Sequence, residues 1–140
     1  MGFIRSFEVS ASGLYVQRKR MDIIAGNLAN METTRTAEGV PYRRKMVVMG
    51  AEPVRDFDTL FHLQLQAPRM DEVVEDRSPF VRVHDPGHPD ADEDGYVLKP
   101  NVDLVVEMTN MLMARRVFEA NVTAMKTTRQ MVLKALEIGR

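Results

Sequence analysis

All seven prolines of this 140-residue chain lie between Pro41 and Pro100, so both ends are free of them. Proline breaks helix interiors because it lacks an N–H and clashes with the preceding turn, so each end can form one long helix. Apolar residues there recur at steps of three and four, the spacing of a helix face packed on a partner helix. They are Ile4, Phe7, Ala11, Leu14, Met21, Ala25 and Leu28, and then Leu104, Met108, Met111, Phe118, Val122, Met125, Val132 and Leu136.

This pattern predicts a mainly α fold with a small β insert. We expect an N-terminal helix within residues 1–30, a β-rich insert at 31–100 and a C-terminal helix within 101–140. Asn30 is expected to end the first helix in a left-handed conformation, and Asn101 or Asp103 to cap the second. The two helices would pair as an antiparallel coiled coil and form one helical domain, an arrangement typical of assembly rather than catalysis.

The expected register places Leu28 near Leu104 and Phe7 near Met125. It brings Arg18 close to Arg115, which is unfavourable unless both side chains point outward. The longer second helix then extends past the first and exposes an apolar line without a partner inside the chain, which indicates contact with another subunit. The residues of this overhang are Val132, Leu133 and Leu136.

The insert carries short strand signals separated by prolines. Residues 42–48 and 96–98 are predicted strands, Phe80 and Val83 mark a third, and residues 61–65 alternate between apolar and polar side chains with a period of two. Because proline cannot donate to a ladder, we expect the strands to be short and the sheet small.

Composition excludes several classes of function. The net charge of −1 argues against a general nucleic-acid binder, which needs a basic surface. The chain has no cysteine for disulfide or thiolate chemistry. No run approaches the length of a membrane span, and no cleaved secretory signal is evident, so we expect no membrane insertion. With eleven methionines and 6% aromatic residues, the core is expected to be thin.

The stretch from Asp85 to Tyr96 is the most tempting chemical motif. Asp90, Asp92 and Asp94 match the first half of a calcium-binding EF-hand loop, but Asn101 stands where a bidentate Glu is required. The alternatives are a weak divalent-cation site and a turn in which aspartates bind local amides, and we favour the turn.

Other constellations for chemistry are weak. His84 and His88 have a zinc-like spacing, yet Pro86 and Gly87 prevent the helix that would align them. No serine lies between glycines as a catalytic nucleophile does, the chain has no cysteine, and there is no phosphate-binding glycine loop. The basic run at 18–20 is typical of a solvated helix face. We therefore predict no catalytic residues, no cofactor and no metal site.

Several segments resemble bacterial flagellar axial proteins, the family of rod, hook and hook–filament junction proteins. Residues 10–14 and 17–30 resemble the N-terminal signature of that family. The acidic stretch 85–97, residues 99–102 and the C-terminal segments 119–124 and 134–140 resemble its proximal rod members. One departure is Gly26, which stands where the family pattern has Asn, whereas Asn27 and Asn30 match it.

The resemblance implies a structural subunit of a helical tube that transmits torque, with its terminal helices toward the axis. It implies export through the flagellar type III apparatus without a cleaved signal, and a place in the periplasmic rod. The implied partners are copies of the chain, other rod proteins, the membrane-ring/rod junction protein and the export apparatus. The predicted interface residues are Phe7, Leu14, Met21, Asn27, Leu28, Asn30, Met111, Phe118, Val122, Met125, Val132, Leu133 and Leu136.

Two other readings stay open at this stage. One is a divalent-cation-binding module built on the acidic loop, and the other is a cytosolic helical adaptor. The adaptor predicts a discrete helical oligomer, whereas the rod subunit predicts a weakly ordered monomer whose ends become helical on assembly.

Overall fold

A computed structural model describes residues 2–53 and 66–139 and places one long helix at each end of the chain. Four strands lie between the helices and form two separate antiparallel ribbons, β1 with β2 and β3 with β4. This confirms the predicted mainly helical fold with a small β insert. The elements are α1 (Gly2–Ala29), β1 (Lys45–Pro53), β2 (Gln66–Glu75), β3 (Val81–His84), β4 (Tyr96–Lys99) and α2 (Leu104–Ile138).

The helix ends follow from their capping residues. Asp103 is the N-cap of α2, and its side chain accepts a hydrogen bond from the backbone N–H of Val106 at 2.9 Å. Helix α1 ends at Ala29, as expected, but the left-handed conformation predicted for Asn30 is wrong, because no described non-glycine residue has a positive φ. Instead the Asn30 side chain donates to the carbonyl of Gly26 at 2.9 Å and closes the last turn.

The two helices pair antiparallel, in a register less than one turn from the predicted one. The Asn27 side chain of α1 meets Glu107 of α2, and a Cβ built on Gly13 would lie 2.8 Å from Nδ2 of Asn121. Arg18 and Arg115 are both exposed, so their side chains avoid each other by pointing outward. Helix α2 has 35 residues and α1 has 28, and the end of α2 beyond Val132 is exposed. Of the predicted overhang, Leu133 and Leu136 are exposed, but the placement of Val132 there is wrong, because Val132 is half-buried.

The face of α2 that meets α1 is half apolar and half small or polar. One line, at every seventh residue, consists of Met111, Phe118, Met125 and Val132, all half-buried. The other line consists of Glu107, Ala114, Asn121 and Thr128, three of which are buried. Together the lines form the repeat of a coiled-coil seam. The placement of Leu104 and Met108 on the seam is wrong: both are exposed, because the seam begins at Glu107.

The β ribbons differ from the expectation in length. Strands β3 and β4 lie where predicted and have four residues each, whereas β1 has nine residues and β2 has ten. A two-stranded ribbon leaves one edge of each strand unpaired, so prolines such as Pro68 are tolerated. The alternating segment at 61–65 lies outside the described residues. A register shift between Val48 and Met49 interrupts the β1–β2 pairing.

The core of this chain is thin, as its composition predicts. Among the described residues six apolar side chains are buried, and four polar ones are buried with them: Val16, Ile24, Pro41, Val97, Pro100 and Ala114, and Ser10, Asn27, Glu107 and Thr128. The chain exposes 10544 Å² for a mass of 15.9 kDa. A compact monomer of that mass exposes about 7,400 Å², so much of this surface is available to neighbours.

The two glycines inside α1 are expected to respond oppositely to a methyl group. Nothing lies within 4 Å of a Cβ built on Gly26, so Gly26→Ala should stabilise the chain by about 0.5–1 kcal/mol through helix propensity. Gly13→Ala is the matched control, because its methyl must displace Asn121. Urea unfolding of both variants checks this, and equal gains at the two positions would contradict it.

Candidate assembly surfaces and a buried polar junction

Most of the predicted interface residues lie in the helix pair of the chain itself. Ten are half-buried: Phe7, Leu14, Met21, Leu28, Asn30, Met111, Phe118, Val122, Met125 and Val132. Asn27 is buried, and only Leu133 and Leu136 are exposed. A contact of any of these residues with another subunit stays a prediction.

A second apolar line runs along α2 beside the seam and is exposed. It is uncharged from Val106 to Met131, and Ala120, Ala124 and Thr127 complete the spacing of three and four from Met113 onward. We call this the side stripe, and its large residues are Val106, Met113, Val117, Met131 and Ile138. Sequence reasoning missed it because a search for one apolar face assigns each helix one stripe. The same spacing read on the neighbouring face would have found it.

Asn27 is the centre of a buried polar junction between α1 and the insert. Its side chain is 1% exposed, and its amide pairs with Lys45 at both ends: Nδ2 donates to the Lys45 carbonyl at 2.8 Å, and Oδ1 accepts from the Lys45 N–H at 2.9 Å. Oδ1 also accepts from the Tyr42 hydroxyl at 3.1 Å. The Asn27 side chain therefore binds both backbone groups of Lys45, as a neighbouring β-strand would.

Glu107 joins α2 to the same junction. The residue is 0% exposed, and its Oε2 accepts from Asn27 Nδ2 at 2.9 Å. Its Oε1 accepts from Arg44 Nε at 2.9 Å and from Arg44 Nη2 at 2.7 Å. Burial lowers the pKa of Arg44, but the hydrogen bonds and the charge of Glu107 and then of Asp76 raise it, so the pKa of Arg44 is raised on balance and its guanidinium stays charged. Nothing in the sequence marked Glu107, since an acid in the first turn of a helix is usually exposed there.

The segment before α2 closes the outer side of the junction. Asn101 Oδ1 accepts from the Arg44 N–H at 2.8 Å, and Asn101 Nδ2 donates to Ser78 Oγ at 2.8 Å and to the Asp76 carbonyl at 3.1 Å. Arg44 Nη1 lies 3.4 Å from Asp76 Oδ2. Asn101 was one of two predicted helix caps, and it serves this junction instead. The junction thus gathers side chains from α1, from the residues just before β1 and just after β2, which lie at the same end of that ribbon, and from the start of α2.

Asp76 should make the stability of the chain sensitive to acid. The Ser78 N–H and hydroxyl, and then Arg44, lower the pKa of Asp76 below its usual value of 3.8. A lowered folded-state pKa contributes stability above pH 3.8 that is lost as the pH falls through the folded value. We expect urea midpoints to fall below about pH 4, and less steeply in Asp76→Asn. The pKa of Asp92 is also lowered, chiefly by the Tyr96 N–H, so some acid dependence should remain. Equal acid dependence in the two chains would contradict the assignment to Asp76.

The acidic loop is built as a turn. Oδ1 of Asp92 accepts from the backbone N–H groups of Tyr96 at 2.8 Å and Asp94 at 3.1 Å, and its Oδ2 lies 3.2 Å from Arg82. Asp90 accepts from the Thr34 hydroxyl at 2.8 Å. Local backbone N–H groups and the Thr34 hydroxyl thus donate hydrogen bonds to these carboxylates, as in Asx turns. In the part of the chain that the structure describes, no three acidic or histidine side chains are grouped to hold a metal ion.

His84, at the end of β3, and His88, in the acidic loop, serve local packing. His88 Nδ1 accepts from the Asp90 N–H at 3.1 Å, and the His84 ring meets Tyr96 edge to face, with centroids 5.0 Å apart.

Among the described helices, none is both long and apolar enough to cross a membrane.

Comparison with known proteins identifies the family. The family of flagella basal body rod proteins matches residues 7–35, and the C-terminal region of flagellar basal body rod FlgEFG proteins matches residues 93–138. The flagellar basal-body rod protein FlgC of Bacillus subtilis is 44% identical, with 100% of both chains covered. The FlgC proteins of Borreliella burgdorferi and Salmonella typhimurium are 38% and 36% identical, covering 99% and 100% of this chain and 98% and 100% of their own. The chain therefore belongs to the FlgC family of flagellar basal-body rod proteins, whose members are structural subunits of the rod.

Proposed function

We propose that this rod subunit joins its neighbours through the exposed side of α2 and transmits torque along the rod. The single observation that carries the proposal is the side stripe, an uncharged line of exposed apolar residues at coiled-coil spacing that α1 leaves uncovered. Large exposed apolar surfaces of this kind mark contacts with other proteins. A second helix packed on the stripe would extend the seam that α1 and α2 already form.

The overhang supplies a second contact surface in this proposal. Leu133 and Leu136 are exposed beyond the region that α1 covers, and they lie on a different side of α2 from the side stripe. Two unlike surfaces on one helix suit heterologous contacts, which continue from subunit to subunit instead of closing into a dimer. Helical growth of a rod requires contacts of that kind.

The remaining parts of the proposal rest on family membership. We infer that the chain works in the periplasmic part of the basal body, reaches it through the flagellar export apparatus without a cleaved signal, and meets other rod proteins and the membrane-ring/rod junction protein. The terminal helices form one domain and the insert another. The chain acts as a structural element, without catalytic activity.

Photo-crosslinking in living cells tests the proposed contact surface. A photoreactive benzoylphenylalanine at Val117 is expected to crosslink to another flagellar axial subunit or to a second copy of the chain. Arg115 is the matched control, because it is exposed on the same helix about half a turn away and far from the overhang. Crosslinks from Arg115 alone, or from neither position in cells that swim, would overturn the assignment of the side stripe.

A further inference from the structure

We propose that Glu107 is a positioning residue: its carboxylate holds the start of the β insert, at Arg44 and Lys45, against the two terminal helices. We call this contact insert seating, and we propose that it forms together with the pairing of the helices. The inference concerns the free chain and does not depend on the proposed assembly surfaces. Three observations carry it: the isolation of α2 from the strands, the donor pattern around the carboxylate, and the burial of the charges.

Apart from the Glu107 side chain, helix α2 makes few contacts with the insert. Its backbone packs beside α1, and within the described elements it approaches none of the strands, whereas α1 packs on both β1 and β2. The Glu107 side chain spans this gap by binding Asn27 on α1 and Arg44 just before β1. One carboxylate thus connects both helices to the start of the insert.

The donors around Glu107 require a carboxylate at this position. Oε2 accepts from Asn27 and Oε1 accepts from two nitrogens of Arg44, so both oxygens must be acceptors. A glutamine would turn its NH₂ group toward one of these donors. Asn27 cannot turn its amide over to compensate, because its Oδ1 already accepts from the Lys45 N–H and the Tyr42 hydroxyl.

The charges explain why insert seating depends on helix pairing. The Arg44 side chain is 18% exposed, and without Glu107 its remaining acidic partner among the described residues is Asp76 at 3.4 Å. A mostly buried cation that loses its close partner is strongly destabilised in that position. When α2 leaves α1, Arg44 is therefore expected to move toward water and to loosen the start of β1.

Amide hydrogen exchange measured by NMR on the full chain tests the proposal. The Lys45 and Arg44 amides report seating, because they donate to side chains of the junction, Asn27 and Asn101. The Ala114 amide, in the interior of α2, reports the helix. In Glu107→Gln we expect the Lys45 and Arg44 amides to exchange at least about tenfold faster, and by a larger factor than the Ala114 amide.

A disulfide can hold the helices paired in every variant. The chain has no cysteine, and Gly13 faces Asn121 across the seam, so Gly13→Cys with Asn121→Cys places one bridge there. In the oxidised background, faster exchange in Glu107→Gln reports seating alone. A second variant, Arg44→Lys, keeps the positive charge but loses the two guanidinium N–H groups that bind the Glu107 carboxylate. We expect it to accelerate exchange of the Lys45 amide less than Glu107→Gln does.

The control is Glu119→Gln, which removes an exposed acid of the same helix that pairs with Arg115. It should leave the Lys45 and Arg44 amides unchanged. The proposal is overturned if these amides stay as protected in Glu107→Gln as in the parent. It is also overturned if all amides accelerate equally, since that would show a loss of global stability without a specific role in seating.

Discussion

Cells that carry Leu136→Asp are expected to stop swimming, although the altered chain folds as well as the parent. Leu136 is 66% exposed and lies on the overhang, so an aspartate there stays in water and should change the free energy of unfolding by less than about 0.5 kcal/mol. In an interface the same carboxylate would be buried without a partner, at a cost of several kcal/mol. Swimming assays and electron microscopy of isolated basal bodies measure the expected loss.

A conservative substitution at the same position separates this effect from general damage. Leu136→Met keeps an apolar side chain of similar volume and should preserve both swimming and basal bodies. Thermal unfolding of the purified chains should show the aspartate variant within about 2 °C of the parent. Swimming cells with normal basal bodies in Leu136→Asp would show that the overhang is not an assembly surface.

The helices were predictable because their signals are local. Proline-free ends, a spacing of three and four, and an aspartate before the first apolar turn of α2 predict two long paired helices and one of their caps. Strand β4 was likewise predictable from its short apolar run. These features depend on neighbours within a few residues, and so the sequence alone indicates them.

The junction and half of the seam depend on residues far apart in the chain. Ala114 and Thr128 are buried on the line of α2 that faces α1, and a search for large apolar side chains passes over such small residues. Glu107 is buried because Arg44 and Asn27 arrive from elsewhere in the chain. No local pattern distinguishes it from an exposed acid at a helix N-terminus.

Strand β2 was missed for a related reason. It carries Arg69, Asp71 and Glu72, and most of its residues are exposed, so it lacks the apolar alternation of a half-buried strand. Its pairing with β1 supplies the backbone hydrogen bonds that define it. Such a charged ribbon is hard to distinguish from a loop by sequence pattern.

Removing the charge of Arg44 is expected to cause the largest loss of stability. Arg44→Met leaves the Glu107 carboxylate, whose side chain is 1% exposed, without its cation and without two of its hydrogen bonds. Breaking a buried ion pair from one side costs about 3–5 kcal/mol. Urea unfolding at pH 7 measures the difference. The control is Arg115→Met, which removes an exposed pair with Glu119 and should cost less than about 1 kcal/mol.

Removing both charges distinguishes a stabilising pair from a positioning one. Burying two charges costs nearly as much as their attraction returns, so Arg44→Met combined with Glu107→Leu should recover most of the stability lost in Arg44→Met. If Glu107 positions the insert, the double variant should nevertheless keep fast exchange at Lys45, because no carboxylate then binds Asn27. A double variant no more stable than Arg44→Met would show that the pair itself stabilises the chain. Full protection of Lys45 in the double variant would show that apolar packing alone seats the insert.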